Sequence, residues 1–128
     1  MSTESLDLTP SVVLARAADI IERQGLARGN YFTASGARPA RDCPVCTYGA
    51  VAVAVGCEPD AWESETYGAV VQRARAALLR LADHLGVTPW GEFDDEDEDE
   101  VPTLDGWSDS TDPAVVVAEL RAAAKAGA

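Results

Sequence analysis

All three cysteines fall within one short stretch, as Cys43, Cys46 and Cys57. Cys43-Pro44-Val45-Cys46 has the spacing of half a zinc site, since thiolates two residues apart can face one ion at tetrahedral angles. Cys57 and the lone His84 would complete a set of three thiolates and one imidazole. The same CxxC pair, placed at a helix start, fits a dithiol redox motif, because a helix N-terminus lowers a thiol's pKa. No βαβ pattern surrounds it, as a thioredoxin-like fold would require. Cys46, His84 and Asp105 or Asp109 also follow the chain order of some Cys-His-Asp hydrolases, which place the nucleophile at a helix N-terminus. Packing accounts for the same residues: Cys46 and Cys57 as small apolar side chains beside Ala and Val, Cys43 as a loop thiol. His84 sits where the last turn of a helix favours a cation.

The second chemically distinctive stretch is Asp94, Asp95, Glu96, Asp97, Glu98, Asp99 and Glu100. The formal charge is -12, and removing these seven acids leaves -12 + 7 = -5. The charge is therefore largely one local run. Phosphate binding needs clustered cations, so direct nucleic-acid binding is disfavoured and a basic protein partner fits better. A DNA mimic would need the charge spread over a surface, which a single run does not provide. Trp90 and Trp107 flank the run and either form a binding patch beside it or pin the loop onto the core. Arg28, Arg38 and Arg41 make the preceding loop the most basic part of the chain. They answer the acidic run, stay solvated, or face an anionic ligand.

Helices must position these residues. Thr9-Pro10 reads as an N-cap followed by a first-turn proline, with Leu8 and Val13 in the positions of a hydrophobic staple. Val13, Ala17, Ile20 and Ile21 share one face of the helix that follows, and Gly25 terminates it. Residues 26–41 read as a long loop. Tyr48 to Val55 alternates Val with Ala, which is a strand period, but Ala is the best helix former and the run is apolar on every side. The helical neighbourhood favours a buried helix. Asp60 to Glu63 has the character of a short helical turn. A longer amphipathic helix starts near Ser64, with Tyr67, Val70, Val71, Ala74, Leu78, Leu81 and Leu85 at helical spacing and Gly86 as its stop. Seven adjacent acids repel one another, so residues 92–103 read as a flexible acidic loop. Leu104 to Asp109 becomes ordered around Trp107. Asp112-Pro113 then opens a last helix with Val116, Val117, Leu120, Ala123 and Ala124 on its apolar face.

The chain has 128 residues, the size of one domain with one core. No apolar segment approaches the ~20 residues that span a bilayer. MSTESLDLTP lacks the basic and apolar regions of a signal peptide, which predicts a cytoplasmic, reducing location.

Three pieces in order resemble a family of small helical proteins from high-GC bacteria and their phages, with no assigned activity. They are Leu14-Ala15-Arg16-Ala17-Ala18, Cys46-Thr47-Tyr48-Gly49-Ala50, and Gly106-Trp107-Ser108-Asp109 followed by Thr111 and a Val/Leu/Ala helix. The resemblance covers residues 10–124 without the acidic run. It implies a helical fold, and a shared site or shared packing core at Cys46 and Trp107-Ser108-Asp109. Relatives often carry Asn at the position of Ser108, and Cys43 is outside their pattern.

The expected architecture is therefore a single all-α domain over residues 1–128, a bundle of about four helices. Residues 1–8 are a frayed lead, and the disordered acidic loop precedes the last helix. The leading functional expectation is a non-enzymatic interaction or regulatory protein, without cofactor, that acts on a basic protein through the acidic loop and its flanking Trp residues. The alternatives are a thiol-dependent enzyme using Cys46, His84 and Asp109, or a small zinc-binding domain through Cys43, Cys46, Cys57 and His84.

Overall fold

The computed structural model describes residues 9–27, 31–33, 37, 39–59, 62, 68–88 and 103–126. Helix α1 spans Pro10–Gln24, and the Thr9 hydroxyl accepts from the backbone N–H of Val12 at 3.3 Å to cap it. It ends at Gly25, whose φ of 98° suits glycine and whose N–H returns to the Ile21 carbonyl at 2.8 Å. A 3-10 turn, Ala40–Asp42, precedes helix α2, Thr47–Ala54. Helices α3, Gly68–Leu85, α4, Leu104–Ser110, and α5, Pro113–Ala126, complete the five α-helices of the described residues.

The all-α expectation holds, with one more helix than expected. The segment around Trp107 is itself helical, as α4. Its propensities are poor, with Gly106, Ser108 and Ser110 in seven residues. What sustains it is the Thr103 hydroxyl, which accepts from Gly106 N–H at 3.2 Å, together with tertiary contacts described below. The Tyr48–Val55 ambiguity resolves as helix: α2 has Thr47, Gly49, Ala50, Val51, Ala52 and Ala54 buried, so it is enclosed on nearly every side. That enclosure explains why its sequence carries no amphipathic period.

Helix α1 is the central element. It packs most extensively on α5, then on α2 and α3, while α3 also meets α2 and α5, and α4 meets α2. The core between them includes Leu14, Leu78, Leu81, Leu104 and Leu120, all fully buried. Each such side chain contributes about 2 kcal/mol by leaving water. Many of the remaining core positions are Ala, which lets the helix backbones approach closely. Polar clamps at the rim fix the pairings: Arg80 donates to Ser11 Oγ at 2.9 Å between α3 and α1, and Arg121 on α5 grips Asp19 at 2.9 Å and Glu22 at 2.7 Å on α1.

Strand structure among the described residues is confined to isolated bridges. Val45 pairs in parallel with Leu26 and antiparallel with Phe32, and Thr88 pairs with Thr103. Pro44–Cys46 is thus an extended segment held between residues 25–27 and 31–33, and it delivers the chain to the start of α2. Residues 1–8, Arg28, Arg38, Asp60 and Ala61, Glu63 to Tyr67, Trp90 and the acidic run Asp94 to Glu100 lie outside the described residues, so the expectations placed on them have no structural counterpart here. Among the described residues no helix is long and apolar enough to cross a membrane.

Candidate functional site

Cys46 is the N-cap residue of α2. Its extended backbone, φ -81° and ψ -179°, turns the Sγ back so that it accepts from Gly49 N–H at 3.4 Å. Its own N–H donates to the Tyr31 carbonyl at 3.1 Å. Burial pushes the Cys46 thiol up from its ordinary 9.0, opposed by the backbone N–H groups of Gly49 and Tyr48, while the Asp109 carboxylate adds to the rise. Burial thus favours the protonated thiol, whereas an attacking sulfur must be a thiolate.

The next residue, Thr47, is wholly buried and meets Ser108 of α4, which is 2% exposed. Thr47 N–H donates to Ser108 Oγ at 3.2 Å, and the two hydroxyls lie 2.8 Å apart. An unpaired amide at the start of a buried helix is costly, and Ser108 removes that cost from 61 residues away. Gly49 completes the junction. A Cβ there would collide with the Tyr31 carbonyl oxygen and would meet the Cβ atoms of Val45 at 3.2 Å and Pro59 at 3.3 Å. Trp62 closes the outer side: its indole N–H donates to the Tyr48 carbonyl at 2.9 Å, and its ring lies 6.0 Å from that of Tyr48. The structure thus brings together Cys46-Thr47 and Ser108-Asp109, the two pieces singled out by the resemblance.

It does not bring together the other predicted sets. Cys43 and Cys46 both have extended backbones, and Val45 between them is in a strand-like bridge. Three extended residues span ~10 Å, beyond the ~7 Å limit for a disulfide, and an odd spacing sends the side chains to opposite faces. The Cys43 Sγ instead donates to the Pro39 carbonyl at 3.4 Å. Cys57 is buried after α2, its thiol pushed up by burial and then by the Glu58 carboxylate. His84 near the end of α3 pairs through Nε2 with Glu119 Oε1 on α5 at 3.0 Å. Among the described residues no three His, Cys, Asp or Glu side chains gather as a metal-binding group. Cys43, Cys46, Cys57 and His84 therefore do not gather as a metal site; Asp109 lies near enough to raise the Cys46 thiol, and His84 is held by Glu119. Trp107, on α4, is half-buried and packs against the core.

Sequence reasoning missed the roles of Thr47 and Gly49. The available signal was a hydroxyl and a glycine inside an otherwise apolar helical run, positions where a buried polar partner and a close backbone approach are the ordinary reasons.

These features define a small all-α protein whose second helix starts at a buried, polar-pinned cysteine cap. The chain belongs to the family of unknown function DUF6197, whose model matches residues 5–126. Comparison with curated proteins and with solved structures finds no match.

Proposed function

We propose that the protein is a non-enzymatic binding protein of the cytoplasm that engages a basic protein partner through Asp94 to Glu100, with Trp90 and the exposed part of Trp107 at its edges. The observation that supports this reading is the fate of Cys46. The one cysteine at a helix N-terminus is spent as a cap, protonated and buried, and His84 is engaged by Glu119 on another helix pair. The residues most able to support chemistry are thus consumed by folding, while seven of the net twelve negative charges stand in one run. Such a run attracts a cationic surface at long range and loses that attraction as salt screens it.

The test is affinity capture with the full chain and with a full-length variant in which the seven acids become Asn and Gln. The expected result is a basic partner retained by the first, released by moderate salt and lost from the second, with both chains melting at the same temperature. Capture of the same partners by both chains would overturn the proposal.

A further inference from the structure

Arg16, Ile20, Arg23 and Gln24 share one face of α1, and that face does not end in solvent alone. With Asp19, the 3-10 turn residues Arg41 and Asp42, and Val53 and Ala54 at the end of α2, it forms an open groove of about 380 Å3. The floor is apolar, made by Ile20, Val53 and Ala54. The walls are polar, and three of their six groups are engaged. Asp19 is held by Arg121, Arg41 is paired with Glu58 at 2.9 Å, and Gln24 donates to the carbonyls of Arg41 and Cys43 at 2.9 and 2.8 Å. Arg16 and Arg23 are different. Both are exposed, and neither has an ion pair among the described residues. Asp42, across the groove, is the lining acid without an ion pair among the described residues, so among those residues the unengaged charge at the rim is two positive against one negative.

We propose that this groove binds an acidic peptide segment of a partner protein, its carboxylates held by Arg16 and Arg23. Seven helical residues separate these arginines by about 10.5 Å along the axis. Given the reach of the arginine side chains, that suits two acidic residues four apart in an extended peptide, ~13 Å, which share one face with the residue midway between them, an apolar side chain resting on Ile20, Val53 and Ala54. An extended segment fits better than a small metabolite, because the groove is open to solvent rather than enclosing. Guanidinium forks favour carboxylate pairing at such a rim.

The experiment uses a fluorescently labelled peptide containing Glu-Ala-Val-Ala-Glu and a control peptide with both Glu replaced by Gln. Binding is measured by anisotropy against the full chain, the full-length variant with Asp94 to Glu100 as Asn and Gln, and Arg16→Ser, Arg23→Ser and Arg73→Ser. Arg73 lies on α3, outside the groove, and controls for net charge. The expected result is binding of the Glu peptide alone, weakened about tenfold by either groove substitution and unchanged by Arg73→Ser. Equal weakening by all three arginine substitutions would overturn the proposal. So would absence of binding to both the native chain and the variant without the acidic run. A labelled oligonucleotide binding as well as the peptide would assign the groove to phosphates and overturn it too.

Discussion

The two ends of α2 treat their residues in opposite ways. At its start, every group with chemical potential is engaged by the fold: Cys46 caps the helix, Thr47 and Ser108 satisfy each other, and Gly49 sits where no side chain fits. At its end, Val53 and Ala54 are chemically plain, yet they floor a groove in which Arg16 and Arg23 have no ion pair among the described residues. Residue type is therefore a poor guide to availability. A thiol at a helix N-terminus is inert when it is buried and bonded, and an ordinary surface arginine is available when nothing holds it.

The contrast is sharpest in glycine. Gly49→Ala forces a methyl into the Tyr31 carbonyl and against Val45 and Pro59, and should cost about 3 kcal/mol or prevent folding. Gly56, just past the other end of α2, has nothing within 4 Å of its missing Cβ, so Gly56→Ala meets only the cost of a φ of 95°, about 1 kcal/mol. Urea denaturation of both variants measures the difference, and equal costs would break the comparison.

The next effect in size belongs to the buried hydroxyl pair. Ser108→Ala leaves the Thr47 amide and hydroxyl without their partner and should cost about 2 kcal/mol. Adding Thr47→Val should cost less in that background than in the native chain, because the pair acts as a unit. Additive costs in this cycle would show that the two hydroxyls do not depend on each other.

Cys46→Ala removes a weak sulfur cap and should cost about 1 kcal/mol, whereas Cys46→Ser keeps an acceptor and should cost less. The raised thiols give a sign in pH. Below 9.0 both folded and unfolded chains hold the proton and the contribution is intact; as pH rises above 9.0 the unfolded chain releases it first, and stability falls. Cys46→Ala should flatten part of that fall in denaturation midpoints measured from pH 8 upward. The smallest effect is at the exposed His84–Glu119 pair, where Glu119→Gln should change stability by less than ~1 kcal/mol.

Much of the fold was legible because its signals are local. Thr9-Pro10 and Gly25 bound α1, and the spacing of Ala74, Leu78 and Leu81 marks α3. Helix α4 was not, since its stability comes from Ser108 reaching Thr47 across the chain, a contact that no local propensity encodes. The site was half legible. The resemblance paired Cys46 with Trp107-Ser108-Asp109, and Ser108 does meet Thr47 beside Cys46, with Asp109 close enough to raise its thiol. CxxC misleads because its chemistry depends on a turn that brings the sulfurs together, and here Val45 is held extended between two neighbouring segments. The arginines of α1 read only as the outer face of an amphipathic helix; that α2 and the 3-10 turn close over that face is a tertiary fact.

The central claim is that Cys46 is a structural cap rather than a reactive thiol. Its most direct test is native-state alkylation with iodoacetamide at neutral pH, followed by intact and peptide mass. The account predicts that Cys43, Cys46 and Cys57 all stay protected and label only as the chain unfolds, at a rate that rises with urea as global unfolding does. Rapid labelling of Cys46 alone in the folded protein would contradict it and return that thiol to the list of groups available for chemistry.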